Sequence, residues 1–233
     1  MFMVNKILII EDEKNISTSL KLILENEGFI VTTSEYGKEG LACYQKHDLM
    51  ILDLMLPDID GIEVLKQIRK VNLKYPILIV SAKTKEDDLV NGLSLGADDY
   101  ITKPFSINEL LMRIKRALQR QQLYENKSSD TSLMKTYSFG KNTIDFANLK
   151  ASTEHGEREL TGQEVQLLLF LFKNEGKIIS RNSLLEEIWG HSRDIESRTI
   201  DNFIVRFRKY FEQDPKNPKH ILTKRGQGYL FLN

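Results

Sequence analysis

Five short apolar runs, each closed by a polar residue and separated by amphipathic stretches, constrain this chain more than any other feature. The first is Lys6–Ile10, where Ile7-Leu8-Ile9-Ile10 runs straight into Glu11-Asp12-Glu13. Phe29–Ser34, Leu49–Leu52, Ile77–Val80 and Asp99–Thr102 repeat the pattern. Runs this uniformly apolar suit strands covered on both faces, which is the habit of a parallel sheet. Between them, apolar residues recur at helical spacing: Ile16, Leu20, Ile23 and Leu24; Gly40–Tyr44; Ile62, Leu65 and Ile68; Leu89 and Leu93; Leu110, Ile114 and Leu118. Five strands alternating with five helices predict an α/β domain over residues 1–120, a doubly wound five-stranded parallel sheet.

A length of 233 residues favours a second domain. Gln119–Lys135 holds few apolar residues and the polar cluster Asn126–Ser132, so 121–135 reads as a flexible linker. Within 136–233, the strand-like pieces Tyr137–Phe139, Thr143–Phe146 and Lys150–Thr153 come first. Thr161-Gly-Gln-Glu164 then forms a capping box ahead of Val165, Leu168, Leu169 and Phe172. A second helix follows Ser180, with Leu184, Leu185 and Ile188, and a third runs over about Ser197–Glu212. His220–Thr223 and Tyr229–Leu232 flank a loop with Gly226 and Gly228, which predicts a hairpin. Three helices closed by a hairpin predict an α+β winged-helix domain.

Composition excludes several classes. With 41% hydrophobic and 28% charged residues the chain is globular rather than disordered. The four-residue apolar run near the start is too short for a signal peptide or a membrane span. One cysteine, Cys43, allows no internal disulfide, so the expected compartment is the cytoplasm and no membrane partner is expected. Residues 1–120 carry 16 Lys and Arg against 18 Asp and Glu, and the remainder 17 against 15. Neither half advertises nucleic acid by bulk charge, so that reading must rest on local pattern.

An open parallel sheet binds ligands beyond the carboxyl ends of its strands. Glu11 and Asp12 follow the first strand, Asp53 ends the third, Ser81 the fourth, and Lys103 follows the fifth. Three carboxylates in one crevice raise each other's pKa unless a cation joins them. All-oxygen donors with open positions suit Mg²⁺. Asp53, continuing a stiff central strand, is then the nucleophile toward phosphorus, with the Lys103 charge and the Ser81 hydroxyl for phosphoryl oxygens. A lone Asp after a strand is ordinarily a turn or cap residue. Five such residues at four strand ends of one sheet together favour a site.

These residues lie in longer motifs: Ile-Ile-Glu11-Asp12-Glu13, Leu-Asp53-Leu-Met-Leu-Pro57-Asp-Ile-Asp-Gly61, Ser81-Ala-Lys83 and Gly96-Ala-Asp-Asp-Tyr-Ile-Thr-Lys103-Pro-Phe105. With them the chain resembles a two-component response regulator of the OmpR/PhoB type, a receiver domain joined to a winged helix, over nearly its whole length outside the linker. The resemblance implies that Asp53 takes a phosphoryl group from a sensor histidine kinase, and that Glu11, Asp12, Asp53 and the Met55 carbonyl hold Mg²⁺. It implies a cis bond at Lys103-Pro104, and a switch in which the Ser81 hydroxyl moves toward phosphate and the Tyr100 ring follows inward. Met55 and Lys83 occupy positions that tune hydrolysis, and their size predicts a long-lived phosphoryl group. It also implies a homodimer through the last two receiver helices and the last strand, with Asp99 to Arg113 and Asp98 to Arg120 across the interface. Leu89 stands where Lys or Arg is usual, which leaves Glu109 without its expected partner and makes the dimer weaker or more apolar.

In the third C-terminal helix Ile200, Ile204, Phe207 and Phe211 form a core-facing stripe, with Thr199, Asn202, Arg206 and Lys209 opposite. Residues 198–225 hold eight Lys and Arg against three Asp and Glu, and the hairpin tip carries Lys224 and Arg225. Helix and wing predict a two-part footprint, major groove for the helix and minor groove for the arginine. Trp189-Gly190, Arg198-Thr-Ile-Asp, Arg206-Phe-Arg-Lys and Thr223-Lys-Arg-Gly-Gln-Gly-Tyr match the same family. The resemblance implies promoter contacts from Arg198, Thr199, Asn202, Val205, Arg206, Arg208, Lys209, Thr223, Lys224 and Arg225. Phe203 replaces a common phosphate-contacting His, and Val205 a common Arg or Ser, although a valine can meet a thymine methyl. Fewer phosphate contacts predict weak monomer binding and dependence on paired protomers. The loop Gly190–Glu196 is where the family meets RNA polymerase.

Two rival readings remain. A phosphatase or dehalogenase with an Asp nucleophile usually carries an acid/base Asp two positions on; here that position is Met55, which favours a stable acyl phosphate over turnover and hence no enzyme. The other is a DNA-binding regulator whose receiver acts independently of phosphorylation, and the presence of all five site residues counts against it.

Overall fold

The structure is a computed structural model that describes residues 4–83, 92–93, 95–125, 135–190 and 198–233; the side chains of residues 120–125 and 198 lie outside that description. The chain forms two compact units, 1–122 and 123–233.

The first unit is built on β1 (Lys6–Ile10), β2 (Ile30–Ser34), β3 (Leu49–Leu52), β4 (Ile77–Ser81) and β5 (Asp99–Thr102). They pair in parallel in the order β2-β1-β3-β4-β5. The side-chain period of two sends Ile7, Ile9, Leu49, Ile51, Leu78, Val80 and Ile101 to one face. There α1 (Lys14–Asn26) and α4 (Ile107–Glu125) cover them with Leu20, Leu24, Leu110, Ile114 and Leu118. Leu8, Ile10, Met50, Leu52, Ile79 and Tyr100, one residue out of step, are equally buried. The helices α2 (Gly37–Cys43) and α3 (Gly61–Val71) pack against each other. Asp60 caps α3 by accepting from the Ile62 amide at 2.8 Å, and Arg69 and Lys70 sit in its last turn, where cations suit the helix dipole. Both faces are thus covered, as the uniformly apolar strands require. Of the expected helix around Leu89 and Leu93, only Gly92 and Leu93 are described, and both are helical.

Strand order reverses between β1 and β3, so their carboxyl ends open onto one crevice. That placement is what the site needs.

The linker reading from residue 121 requires correction. Helix α4 continues to Glu125, and β6 starts at Thr136. Gln, Leu and Glu are good helix formers even where few apolar residues mark a packed face, so a hydrophobic pattern alone ends this helix too early.

The second unit opens with an antiparallel sheet of β6 (Thr136–Phe139), β7 (Asn142–Asp145), β8 (Lys150–Thr153) and β9 (Gly156–Glu159). Strand β9 has no signature in the sequence: Gly-Glu-Arg-Glu is exposed throughout and carries no alternating apolar signal. Next come α5 (Gly162–Lys173), α6 (Arg181–Trp189) and α7 (Arg198–Phe211). The capping box at α5 is present, with Thr161 and Glu164 bonded reciprocally. A hairpin of β11 (Ile221–Lys224) and β12 (Gly228–Phe231) closes the unit, joined by the short β10 (Ile178–Ile179) on the far side of β12. Phe139, Phe172, Phe211 and Phe231 pack together in its core, and rings in such arrangements add about 0.5–1.5 kcal/mol per pair beyond their buried area. None of the described helices is long and apolar enough to cross a membrane.

Candidate functional site

Residues up to 92 positions apart meet at the carboxyl rim of the first unit. Asp53 leaves β3 with its carboxylate buried at 4% exposure. Its Oδ1 accepts from the Ser81 hydroxyl at 2.8 Å and from the Met55 amide at 3.0 Å, and its Oδ2 from Lys103 Nζ at 2.6 Å. Lys103 Nζ also donates to both oxygens of Glu11, at 2.9 and 2.7 Å. The loop that leaves the site is drawn tight at Gly61, where a Cβ would collide with the Asp53 carbonyl oxygen and the Leu54 Cα. The peptide Lys103-Pro104 is cis.

Glu11, Asp12 and Asp53 each offer an oxygen within 4.8 Å of the others. Burial raises the pKa of Glu11, helped by the neighbouring Asp53 charge, while the Lys103 hydrogen bond opposes the rise. Burial also works against the Lys103 ammonium, but the bonds to Asp53 and Glu11 outweigh it and hold its pKa above the ordinary value. One ammonium therefore stays charged among three acids and leaves them short of a cation. Three hard oxygens, one of them on the exposed Asp12, fit a small divalent ion that keeps open positions. Asp12, Met55 and Lys83 line an open cleft of about 400 Å³ beside them.

Tyr100 is fully buried in the inward position, and its hydroxyl donates to the Lys83 carbonyl at 2.8 Å. Ser81, Lys83 and Tyr100 thus form one connected patch with Asp53.

The residues expected at the dimer face have partners within the chain. Asp99 is bonded to Arg113 within the same chain, and both are buried. Arg113 also holds Glu109 at 2.5 Å, so Glu109 has a cationic partner within the chain although position 89 is a leucine. Asp98 accepts from Arg69 at 2.9 Å and from the Ile77 amide at 2.9 Å. Residues one turn apart on α4 and facing β5 pair locally, because both sides of a buried ion pair must be satisfied before any surface partner arrives. Arg69, which no sequence pattern marked, also donates to the carbonyls of Gly96, Asn72 and Tyr75. Leu89 and the Arg120 side chain lie outside the described residues.

On α7 the core stripe is as expected: Ile200, Ile204, Phe207 and Phe211 are buried. Phe203 joins them, however, and the outward face is rotated. Asn202, Val205 and Lys209 are exposed, at i, i+3 and i+7. Thr199, expected to contact DNA, is instead fully buried. Arg206 is turned inward, 3.3 Å from the buried Glu164 and stacked over the Phe203 ring. Arg208 spends its guanidinium on the wing, donating to the Ile221 carbonyl at 2.9 Å and the Thr223 hydroxyl at 2.8 Å. The physical reason is one of count. Five apolar residues need burying, and the wider stripe pulls its flanking positions inward. Thr223, Lys224 and Arg225 are exposed on the wing. Loop residues 191–197 and the Arg198 side chain lie outside the described residues.

Two further devices set the helix and wing. Tyr229 donates to Asp201 at 2.5 Å, and Arg181 reaches both, at 2.7 and 3.2 Å. Glu212, at the end of α7, accepts from the amides of Lys219, His220 and Ile221. The capping box was visible in the sequence, but nothing there showed that Glu164 would also meet Arg206.

Comparison with known proteins agrees with this architecture. The response regulator receiver domain family matches residues 7–115, and the family described as transcriptional regulatory protein, C terminal, matches 155–231. The alkaline phosphatase synthesis transcriptional regulatory protein PhoP of Bacillus subtilis (strain 168) is 40% identical, over 96% of this chain and 95% of its own length. Among solved structures, DrrB, an OmpR/PhoB homologue from Thermotoga maritima, is 32% identical over 99% of this chain and all of its own, with a TM-score of 0.51. A RitR variant (C128S) is 26% identical, covering 97% of this chain and 98% of its own, with a TM-score of 0.71. A parallel sheet with acids and a lysine on one rim, then a winged helix, matched along its length in this way, belongs to the two-component response regulators of the OmpR/PhoB type, and this chain is a transcription regulator of that family.

Proposed function

We propose that Asp53 is the phosphoacceptor and that its phosphorylation controls promoter binding. The observation that carries this is the contact of Lys103 Nζ with Asp53 Oδ2 at 2.6 Å, across 50 residues, in a crevice shared with Glu11, Asp12 and Ser81. A sensor histidine kinase presents its phosphohistidine. An Asp53 oxygen attacks phosphorus in line, the phosphorus–nitrogen bond breaks, and its electron pair returns to the imidazole. Glu11, Asp12, Asp53 and the Met55 carbonyl would hold Mg²⁺, which neutralises charge on the phosphoryl oxygens. Lys103 shifts its contact from carboxylate to phosphoryl oxygen, and the Ser81 hydroxyl, already on Asp53, donates to another. The Tyr100 ring already lies inward, bonded to the Lys83 carbonyl, so phosphorylation holds it there rather than drawing it in.

Met55 is exposed and lines the cleft with Lys83, so both side chains stand where an attacking water must pass. Autodephosphorylation is accordingly slow, and the protein acts as a switch rather than a catalyst. The phosphorylated chain pairs with a second copy through β5 and the exposed side of α4, where Met112 is 66% exposed. Because Asp99 and Arg113 are already paired, this contact leans on apolar area. Promoter DNA is read by Asn202 and Val205 in the major groove, with Lys209, Thr223, Lys224 and Arg225 on the backbone and the minor groove. RNA polymerase is met by the loop 190–196.

The test is DNA binding to a mapped promoter with and without acetyl phosphate and Mg²⁺. Wild type should bind more tightly when phosphorylated, and Asp53→Asn should not respond. Equal response of both proteins supports the phosphorylation-independent receiver instead.

A further inference from the structure

Helix α2 lacks a cap of its own. Its N-cap residue, Tyr36, offers no side-chain acceptor, yet the first amides of the helix are orphan donors. They are satisfied from a distant segment. Asp58 Oδ1 accepts from the Gly37 amide at 2.8 Å and Asp58 Oδ2 from the Lys38 amide at 3.0 Å. Asp58 lies in the loop between Asp53 and Gly61, the same loop that carries Met55. Its neighbours are seated too: a Cβ at Gly37 would collide with Ile59 and Val64. At the other end of the loop Asp53 Oδ1 accepts from the Met55 amide, and the Gly61 amide bonds the Leu54 carbonyl at 3.1 Å. Desolvation opposes the charge on Asp58, but the two amides outweigh it and hold its pKa below the ordinary carboxylate value.

We propose that Asp58 is a positioning residue for the phosphorylation site: by capping α2 from the acceptor loop, it fixes the direction of the Met55 carbonyl. The inference rests on the reading of Glu11, Asp12, Asp53 and Met55 as the oxygen set for Mg²⁺. A carbonyl donor on a free loop must be ordered when the cation binds, and that entropy is charged against affinity. A carbonyl already held by a clamp at Asp58 binds without it. Partners that orient ligands without touching the metal commonly govern affinity in this way.

The test is titration of the full unphosphorylated chain with Mg²⁺ alone, by calorimetry, for wild type, Asp58→Ala and Asp58→Asn, with melting temperature measured on each. Asp58→Ala should weaken Mg²⁺ binding about tenfold, the lower end of the usual effect of losing an orienting partner. Asp58→Asn keeps one amide acceptor and should fall between the two. In the same proteins, hydrogen exchange of the Met55–Ile59 amides should quicken in the order wild type, Asn, Ala. Unchanged Mg²⁺ affinity in Asp58→Ala, whether or not its melting temperature falls, overturns the proposal, as does wild type that binds no Mg²⁺. Failure of the functional reading shows elsewhere: wild type would bind Mg²⁺ and respond to Asp58→Ala, yet take no phosphoryl group.

Discussion

At the scale of single residues, the crevice works because both buried acids, Glu11 and Asp53, meet a cation. Lys103 is the common partner of Glu11 and Asp53. Lys103→Ala removes the ammonium that joins Glu11 to Asp53 and leaves two buried acids facing each other. Phosphoryl uptake should fall about a hundredfold or more, consistent with losing one preorganised charge contact in a transition state. Uptake from acetyl phosphate, followed on phosphate-affinity gels, measures this, and uptake within twofold of wild type would rule out the assigned role. Met55 and Lys83 make the second prediction at this scale. The phosphoryl group on wild type should last minutes or longer, and replacing both residues with smaller polar ones should shorten it. A wild-type half-life of seconds would contradict the shielding role. The five site residues were legible beforehand because each interrupts or ends an apolar strand, and strand ends of a parallel sheet converge. Arg69 was not. A buried arginine whose partners are mostly backbone carbonyls leaves no periodic or charge signature in its own neighbourhood.

At the scale of elements, α7 divides into residues that hold it and residues that face outward. Arg206→Ala removes the cation 3.3 Å from the buried Glu164 carboxylate, and should lower the stability of the C-terminal unit by roughly 1–3 kcal/mol. Lys209→Ala should leave stability unchanged, weaken all DNA sequences alike and reduce the salt slope by about one. Chemical denaturation and salt-titrated DNA binding on the two variants separate these roles; the reverse pattern would restore Arg206 to the DNA face. Tyr229 ties the wing to the start of α7. Its phenol pKa is pushed up to about 12, by burial first and then by the bond to Asp201. Since the folded value exceeds the unfolded one of roughly 10, the stability it contributes is complete below pH ~10 and lost as pH rises through about 12. Ultraviolet titration of wild type against Tyr229→Phe should show one phenol fewer ionising in that range. Helical periodicity alone places the stripe of Ile200, Ile204, Phe207 and Phe211, but it does not show that Phe203 belongs to the core. Widening the stripe by that one residue turns Thr199 and Arg206 inward. Strand β9 was hidden for a different reason: an exposed edge strand has no buried face to enforce alternation.

For the whole molecule, the regulatory step is expected to be association. The pairs Asp99–Arg113 and Asp98–Arg69 are complete within one chain, so the unphosphorylated protein gains little electrostatically by pairing. Sedimentation should show monomer without acetyl phosphate and a shift toward dimer with it, and Met112→Glu should suppress that shift while leaving phosphoryl uptake intact. Unimpaired dimerisation of Met112→Glu would move the interface elsewhere. The most direct measurement is intact-mass spectrometry after incubation with acetyl phosphate and Mg²⁺, followed by peptide mapping. Wild type should gain the mass of one phosphoryl group, mapped to Asp53 and absent from Asp53→Asn. A wild-type chain that gains none, or gains it on another residue, would contradict the central claim.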